Sequence, residues 1–205
     1  MLNYVSNIKF KKALQTITYL PHFISVVVIV GMLSSFLSPR SGFINEMIQS
    51  LGGKPIYFFG DPDYFRHIYV WSGVWQGAGW GSIIYMASLS SVNPELHESC
   101  IIDGANILQR IWHVDIPSIM PTMVIMLILS CGSIMNVGYE KTYLMQNNLN
   151  LKVSEVISTY TYKTGLLQQK YSYSSAIGLF NNIVNFALLN IVNYIAKKIS
   201  GNSLW

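Results

Sequence analysis

The sequence predicts an all-α polytopic membrane protein with four transmembrane helices, because its apolar stretches are long and its charges are segregated. Only 11% of the residues are charged, against about a quarter in ordinary globular domains, and 51% are hydrophobic. Asp, Glu, Lys and Arg are absent from four windows, each longer than the ~20 residues that cross a bilayer core: 13–39, 67–94, 116–139 and 171–196. We therefore predict a single transmembrane domain over residues 1–205, with spans at 14–37, 67–89, 117–137 and 171–196.

The first span follows a short polar segment, Met1 to Lys12, which carries lysines next to the membrane as cytoplasmic flanks do. The chain has no signal-peptide pattern, because the first apolar window is too long for a signal sequence. Pro21 lies within the span, where neighbouring groups must satisfy the carbonyl that a proline leaves free. We expect a kink near Tyr19.

Residues 38–66 are rich in glycine and proline and are predicted to form an external loop. Within it, Phe43 to Leu51 has the pattern of a short amphipathic helix. The GGKP sequence that follows fails as a phosphate-binding loop, because Met47 stands where the first glycine is required and Pro55 follows Lys54. We expect no ATP site in this chain.

The second span contains Gly73 and Gly77, whose small-xxx-small spacing lets two helices approach closely. It also contains Trp71 and Trp75 near its predicted outer end. Helix packing is the favoured interpretation of these residues. Contact of the tryptophans with a sugar ring is the alternative.

The stretch from Asn93 to Pro117 is the one place where charge interrupts apolar sequence in an organised way. Asn93 suits a helix N-cap and Pro94 the first helical position. Gly104 suits the left-handed end of a helix, and Pro117 is predicted to be the boundary of the next one. We therefore predict two short helices hinged at a glycine. The second helix has an apolar face, which indicates a docking element: Ile107, Leu108, Ile111 and Trp112.

The third span ends with a set of polar residues that fall on one face at ~100° per residue: Ser130, Ser133, Asn136 and Glu140. Polar groups inside a membrane are costly unless they pair or line an aqueous cavity, so these four are the candidates for a substrate path. Hydrogen bonding between helices, with Glu140 at the interface, is the alternative. Beyond them we predict an external loop with a surface helix at 153–166, then a last span whose inward residues are Asn182, Asn185 and Asn193.

The loop from Asn93 to Pro117 resembles the EAA loop of permease subunits of binding-protein-dependent ABC importers. In that pattern Glu98, Ser99 and Cys100 take the E-A-A positions, Gly104 the glycine, and Val114 to Pro117 the closing I-x-L-P. Ser99, Cys100 and Val114 depart from the pattern by residues of similar size. The resemblance covers almost the whole chain through IIDGANILQRIWHVDIPS, QTITYLPHFIS, GWGSIIYMASL and the terminal SLW, and it favours the oligosaccharide and polysaccharide branch.

This resemblance implies a plasma-membrane protein that works with cytoplasmic ATPase subunits, a second permease subunit and an extracellular solute-binding protein. It implies that the loop docks on the ATPase through Glu98, Ser99, Cys100, Asp103, Gly104, Ile107, Ile111, Trp112 and Pro117. Such permeases have a core of six helices, of which this chain would supply the last four. The resemblance places both termini in the cytoplasm, since Lys and Arg number 6 on the side of the termini and 7 on the other and do not decide the orientation.

The residues favour no catalytic site, metal site or cofactor. Cys100 and Cys131 do not favour a disulfide, and the basic residues form no stripe of the kind that binds nucleic acid. Two alternatives to a transport subunit remain: an ion-driven secondary carrier, and a membrane-bound transferase that would use His97, His113, Asp103 and Asp115. We expect the chain not to be an enzyme.

Overall fold

The computed structural model describes residues 7–205, and within that range the chain forms helices and no strand. The start of the predicted polar N-terminal segment, residues 1–6, lies outside the described residues. In chain order the α-helices are α1 (Ile8–Tyr19), α2 (Val26–Phe36), α3 (Phe43–Ser50), α4 (Pro62–Ser90), α5 (Pro94–Ile102), α6 (Ile107–Arg110), α7 (Ile116–Gly132), α8 (Tyr139–Met145), α9 (Leu151–Ser154), α10 (Ile157–Tyr162) and α11 (Tyr171–Ser200).

Contacts between backbone positions divide these helices into two compact units. The first unit contains residues 7–19, 78–135 and 182–205, and the second contains residues 20–77 and 136–181.

Two helices are long and apolar enough to cross a membrane: Ile107–Gly132, in which α6 and α7 are continuous, and α11. The pair Ile8–Phe23 and Val26–Phe36 passes the same test only if both are taken as one broken span. Helix α4 contains the predicted second span and is 29 residues long, but it is not among the helices that qualify. The predicted number of four spans is therefore not confirmed, and the structure supports two or three among the described residues.

The break in the first span confirms the kink expected near Tyr19. Helix α1 ends at Tyr19, and Leu20–Phe23 forms a 3-10 turn that buries Pro21. A new helix then starts because the hydroxyl of Ser25 accepts a hydrogen bond from the amide of Val28 at 3.3 Å. The span at 14–37 is thus two helices and not one.

Pro117 does not end the second helix of the loop, contrary to our prediction. The chain passes from α6 into a π-helical turn, Ile111–Asp115, in which the amide of Ile116 donates to the carbonyl of Ile111. A proline has no amide hydrogen and its ring crowds the carbonyl four residues earlier, so a wider turn just before it accommodates the ring. The helix therefore continues into α7, and the helix that contains the predicted third span covers Ile107–Gly132 instead of beginning at 117.

The same helix ends at Gly132, earlier than predicted. The amide of Ser133 closes a tight turn on the carbonyl of Ser130 at 3.3 Å. The side-chain oxygen of Asn185 accepts a hydrogen bond from the amide of Met135 at 3.3 Å, which satisfies a backbone donor beyond the helix end. Asn136 and Glu140 consequently do not continue a helical face with Ser130.

A small apolar core in the second unit consists of Val30, Phe65 and Met145, each at most 5% exposed. The predicted amphipathic segment after the first span is confirmed as α3, which ends at Ser50 and is followed by Gly52 with a φ of +82°. The predicted surface helix at 153–166 is wrong in its start. Residues 155–156 are extended, and the helix runs from α10 through a π-helical turn, Lys163–Leu167.

The close helix approach predicted at Gly73 and Gly77 is found elsewhere on α4. A Cβ atom at Gly77 would meet nothing within 4 Å, whereas one at Gly79 would collide with the backbone carbonyl of Thr18. At Gly73 the nearest group is the ammonium of Lys141, 3.3 Å from a Cβ built there. The spacing of the small residues correctly indicated that α4 makes a close backbone contact, but the contact is at Gly79 and not at Gly73 or Gly77.

Candidate functional site

The first helix of the loop begins as predicted. The side-chain oxygen of Asn93 accepts a hydrogen bond from the amide of Glu95 at 3.1 Å, and Pro94 occupies the first turn of α5. The side-chain amide of Asn93 also donates to the carboxylate of Glu95 at 3.1 Å. The start of α5 is therefore fixed by residues of the loop itself.

Gly104 makes the turn between the two helices. Its φ is +76°, the left-handed region in which a side chain is strained. The amide of Ala105 donates to the carbonyl of Cys100 at 2.9 Å, and the amide of Gly104 donates to the carbonyl of Ile101 at 3.0 Å. This pair of bonds is the Schellman pattern of a glycine-terminated helix, so the hinge predicted at Gly104 has a defined geometry.

The second helix begins with a capping box. The side chain of Asn106 accepts a hydrogen bond from the amide of Gln109 at 2.9 Å, and the side chain of Gln109 accepts one from the amide of Asn106 at 2.8 Å. The ring of His113 lies 2.9 Å from the carbonyl of Gln109. Two polar residues thus set the start of the long helix immediately after the glycine turn.

His97 and Asp115 hold the two helices of the loop together. The Nε2 atom of His97 lies 3.4 Å from a carboxylate oxygen of Asp115, whose residue is 8% exposed. His97 belongs to α5 and Asp115 to the π-helical turn, so this contact crosses the hairpin. Two of the four residues considered for a transferase, His97 and Asp115, are therefore paired as a link within the loop.

Most of the residues expected to contact an ATPase are accessible. Glu98, Ser99, Asp103, Gly104, Ile107, Trp112 and Pro117 are exposed, while Cys100 and Ile111 are half-buried. The structure adds two apolar residues that the sequence pattern did not single out, Ile101 at 56% exposure and Ile102 at 86%. The sequence feature that could have identified these two residues is their position just before Gly104, within an otherwise polar segment. We call the exposed surface formed by Ile102, Ile107 and Trp112 the apolar tip.

The concave side of the loop is a hollow of about 290 Å³ lined by Cys100, Asp103, Gly104, Ala105, Gln109 and His113. Although it contains a cysteine, a carboxylate and a histidine, no group of three metal-binding side chains close enough to hold an ion occurs within residues 7–205. The loop offers exposed apolar side chains and a polar hollow, which suits contact with another protein.

The predicted substrate-path residues do not share one helix, but each is exposed. Ser130 and Ser133 donate to carbonyls of their own helix, at 2.8 Å from Met126 and 3.3 Å from Leu129. Asn136 accepts a hydrogen bond from the amide of Asn181 at 3.0 Å. The polar stripe is therefore interrupted, and its residues remain available to a partner or solute.

On the last helix, two of the three asparagines expected to face inward are buried. Asn185 and Asn193 are 6% and 4% exposed, and their side-chain oxygens accept backbone hydrogen bonds, from Met135 at 3.3 Å and from Leu204 at 2.8 Å. Asn182 is exposed, so its expected inward position is wrong. The reason is its place on α11, three residues before Asn185, where no described element of the chain covers it.

Trp71 and Trp75 are 67% and 52% exposed, so neither packs inside the chain as the favoured interpretation expected. They line an apolar cavity of about 300 Å³ together with Ser72. The Ser72 hydroxyl already donates to the carbonyl of Ile68, which leaves the cavity little to offer the hydroxyls of a sugar.

Comparison with known proteins shows the family of this chain. Residues 1–201 match the family described as binding-protein-dependent transport system inner membrane component. The chain belongs to this family. It is similar over its full 205 residues to the protein LplB of Bacillus subtilis (strain 168), at 41% identity, and to the polygalacturonan/rhamnogalacturonan transport system permease protein YteP of the same organism, at 38%. It spans 64% of the length of each of these relatives.

The fold is similar to that of a chain in the crystal structure of a bacterial alginate ABC transporter in complex with an alginate pentasaccharide-bound periplasmic protein. The TM-score is 0.94 at 38% sequence identity, and the match covers 100% of this chain and 71% of that one. The family model and the solved structure both place this chain among the membrane components of transport systems.

Proposed function

We propose that this chain is the membrane-spanning subunit of an ATP-driven ABC importer for oligosaccharides or polysaccharides. The observation that carries the proposal is the match of the whole chain to a chain of a polysaccharide transporter, at 38% identity and a TM-score of 0.94. The similarity to a relative named for polygalacturonan and rhamnogalacturonan transport supports the same substrate class. In this role the chain performs no catalysis, and separate subunits hydrolyse ATP.

The loop from Asn93 to Pro117 is the ATPase-docking element in this proposal. The exposed carboxylate of Glu98 meets a basic residue of the ATPase, and the apolar tip fills a groove on its surface. Ile102 is 86% exposed and Trp112 is 66% exposed, and covering such side chains recovers about 25 cal/mol per Å² of apolar surface. The left-handed Gly104 presents both helices to the partner at a fixed angle.

The whole chain forms one transmembrane domain in the plasma membrane, with cytoplasmic termini and four crossings. The broken pair that begins with α1 and the less apolar α4 provide the two crossings beyond the qualifying helices. A glycine-rich helix of lower hydropathy is stable in a membrane when other helices cover it. A second permease subunit supplies that cover, and an external solute-binding protein delivers the substrate.

Transport proceeds by alternating access, in which the nucleotide state of the ATPase biases two arrangements of one helical bundle. Ser130, Ser133, Asn136 and Glu140 contribute to the substrate path. Their exposure in this chain supports the assignment, since polar groups in a membrane protein need a partner or water.

Co-purification and uptake test the proposal. The chain is expressed with its candidate ATPase and second permease subunits, purified through a tag on this chain alone, and reconstituted into vesicles with the binding protein. We expect the ATPase to co-purify and labelled oligogalacturonate to enter only with ATP. Uptake driven by an ion gradient without an ATPase would indicate a secondary carrier, and a modified sugar product would indicate a transferase.

A further inference from the structure

The hollow on the concave side of the docking loop, which we call the loop hollow, belongs to the first unit and is accessible from outside the chain. Its volume is about 290 Å³. Of its polar lining residues, Asp103, Gln109 and His113 are exposed. Their side chains can therefore contact a group of another molecule that enters the loop hollow.

The carboxylate of Asp103 gives the loop hollow a negative charge. With His113 neutral, it is the only formal charge among the described lining residues. The carboxylate forms no ion pair and accepts no hydrogen bond within residues 7–205. The backbone of Asp103 is held in place, since its amide donates to the carbonyl of Ser99 at 3.0 Å. A fixed and unpaired carboxylate favours a cation that can donate hydrogen bonds.

His113 adds a second acceptor to the loop hollow. Its Nδ1 atom lies 2.9 Å from the carbonyl oxygen of Gln109. A carbonyl can only accept, so the proton of the neutral imidazole is on Nδ1, and Nε2 is left as an acceptor. The hydrogen bond also fixes the ring, because Gln109 and His113 lie one turn apart on the same helix.

The residues around the loop hollow are acidic as well. Glu95 and Glu98 lie on α5, just before Asp103, and neither forms an ion pair within the described residues. Lys and Arg are absent from residues 67–109, and Arg110 does not line the loop hollow. The cytoplasmic leaflet of a membrane is itself negatively charged, so this face is repelled by lipid headgroups. Charge complementarity favours a basic group of a protein.

We propose that the loop hollow receives an arginine side chain of the ATPase subunit, whose guanidinium donates hydrogen bonds to the carboxylate of Asp103 and to Nε2 of His113. A guanidinium carries several N–H donors in one plane and no acceptor, which suits two separate acceptors better than a single ammonium does. The inference rests on the proposed docking of the loop on the ATPase. It adds a charged contact on the concave side to the contacts of Glu98 and the apolar tip.

The affinity of the ATPase for the permease pair in lipid nanodiscs tests the proposal, measured at low and at high salt. Asp103→Asn removes the charge and keeps the shape of the side chain, and Ala105→Leu fills the loop hollow without changing its charge. Glu95→Gln is the matched control, since it removes an exposed carboxylate of α5 that does not line the loop hollow. The Tm of each variant shows whether its fold is kept.

We expect Asp103→Asn and Ala105→Leu to weaken binding about tenfold at unchanged Tm, and Glu95→Gln to stay within about twofold of wild type. Asp103→Asn should also reduce the salt dependence of binding, because an ion pair is screened by salt and packing is not. Wild-type affinity of both Asp103→Asn and Ala105→Leu would overturn the proposal.

A charge exchange tests the identity of the partner residue. Asp103→Arg should abolish binding, and replacing one arginine of the ATPase with aspartate should restore it. Recovery only when a lysine is replaced, or with no replacement across the ATPase surface, would overturn the assignment of an arginine. Failure of the wild-type ATPase to bind the wild-type permease pair would instead refute the proposed function.

Discussion

The ammonium of Lys141 donates a hydrogen bond to the backbone carbonyl of Tyr69 at 2.9 Å and lies 4.8 Å from the centre of the Tyr69 ring. Lys141 is only 8% exposed, and burial lowers the pKa of its ammonium. Within residues 7–205 Lys141 forms no ion pair with a carboxylate. A carbonyl and an aromatic face are the groups that compensate this buried charge.

Replacing Lys141 with methionine should stabilise the protein. The lowered pKa means that burial disfavours the charged form more than the contacts with Tyr69 favour it. Removing the charge while keeping the volume is expected to contribute about 1 kcal/mol, or roughly 2–4 °C in Tm for a chain of this size. Thermal unfolding in detergent, followed by circular dichroism, measures the shift.

The stabilisation by Lys141→Met should decrease as the pH rises. The folded pKa of Lys141 lies below the unfolded one, so the cost is complete below the folded pKa and fades as the pH rises through it. The advantage of Lys141→Met should therefore shrink as the pH is raised towards 10.5, the ordinary pKa of a lysine. Lys163→Met is the control, since its surface pair with Glu155 is worth little and its removal should leave Tm nearly unchanged. A lower Tm for Lys141→Met would contradict the argument.

Gly79→Ala should destabilise the first unit, because the added methyl group would collide with the backbone carbonyl of Thr18. Backbone cannot rotate away as a flexible side chain can, so the expected cost is about 1–3 kcal/mol. Gly77→Ala, two residues earlier on the same helix, meets open space and should be neutral or slightly stabilising. Equal Tm values for the two variants would show that the helices can separate at no cost.

Asn45→Leu should be strongly destabilising. Asn45 makes hydrogen bonds to the backbone of Leu37, Ser38 and Ile56, and its loss leaves the amide of Ile56 without that acceptor. We expect a loss of about 3 kcal/mol in the free energy of unfolding, measured by denaturant titration. Asn182→Leu changes the same side chain at an exposed position of α11 and should change stability little. Similar losses in the free energy of unfolding for Asn45→Leu and Asn182→Leu would contradict the stabilising role of the buried hydrogen bonds of Asn45.

Glu98→Lys and Gly104→Pro should abolish transport while leaving membrane insertion intact. The first reverses an exposed charge of the docking loop, and the second is incompatible with a φ of +76° because proline fixes φ near −65°. Uptake in vesicles and the yield of ATPase that co-purifies are the measurements. Gly104→Asn tolerates the left-handed region and should retain most activity, and Glu46→Lys, exposed on α3, should transport normally. Normal uptake by Glu98→Lys would contradict the docking role.

Local signals in the sequence predicted local structure well. The cap at Asn93, the left-handed turn at Gly104 and the break at Pro21 each depend on one residue and its immediate neighbours, and each is found. The prediction of a helix boundary at Pro117 was wrong because whether a proline ends a helix depends on the backbone turn that precedes it. A π-helical turn at Ile111–Asp115 absorbs the proline, and nothing in the residue types of that turn distinguishes it from an α-helix.

Features that depend on distant residues could not be predicted from spacing. The choice of Gly79 over Gly77 is set by where Thr18 lies, and the helix end at Gly132 is accompanied by a bond from Met135 to Asn185. The prediction that the substrate-path residues share one face required the helix to continue through Asn136, but the helix ends at Gly132. The hydrogen bond from the side-chain amide of Asn150 to the carbonyl of Phe59 joins residues 91 positions apart, which no periodicity connects.

The continuity of the helix from Ile107 to Gly132 has a mechanical consequence. Its 26 residues form a rod about 39 Å long at a rise of ~1.5 Å per residue. No loop interrupts the rod, so a push on its exposed end at Ile107 is carried along one helix towards Gly132. The π-helical turn at Ile111–Asp115 and Pro121 are the points at which this helix could bend under that load.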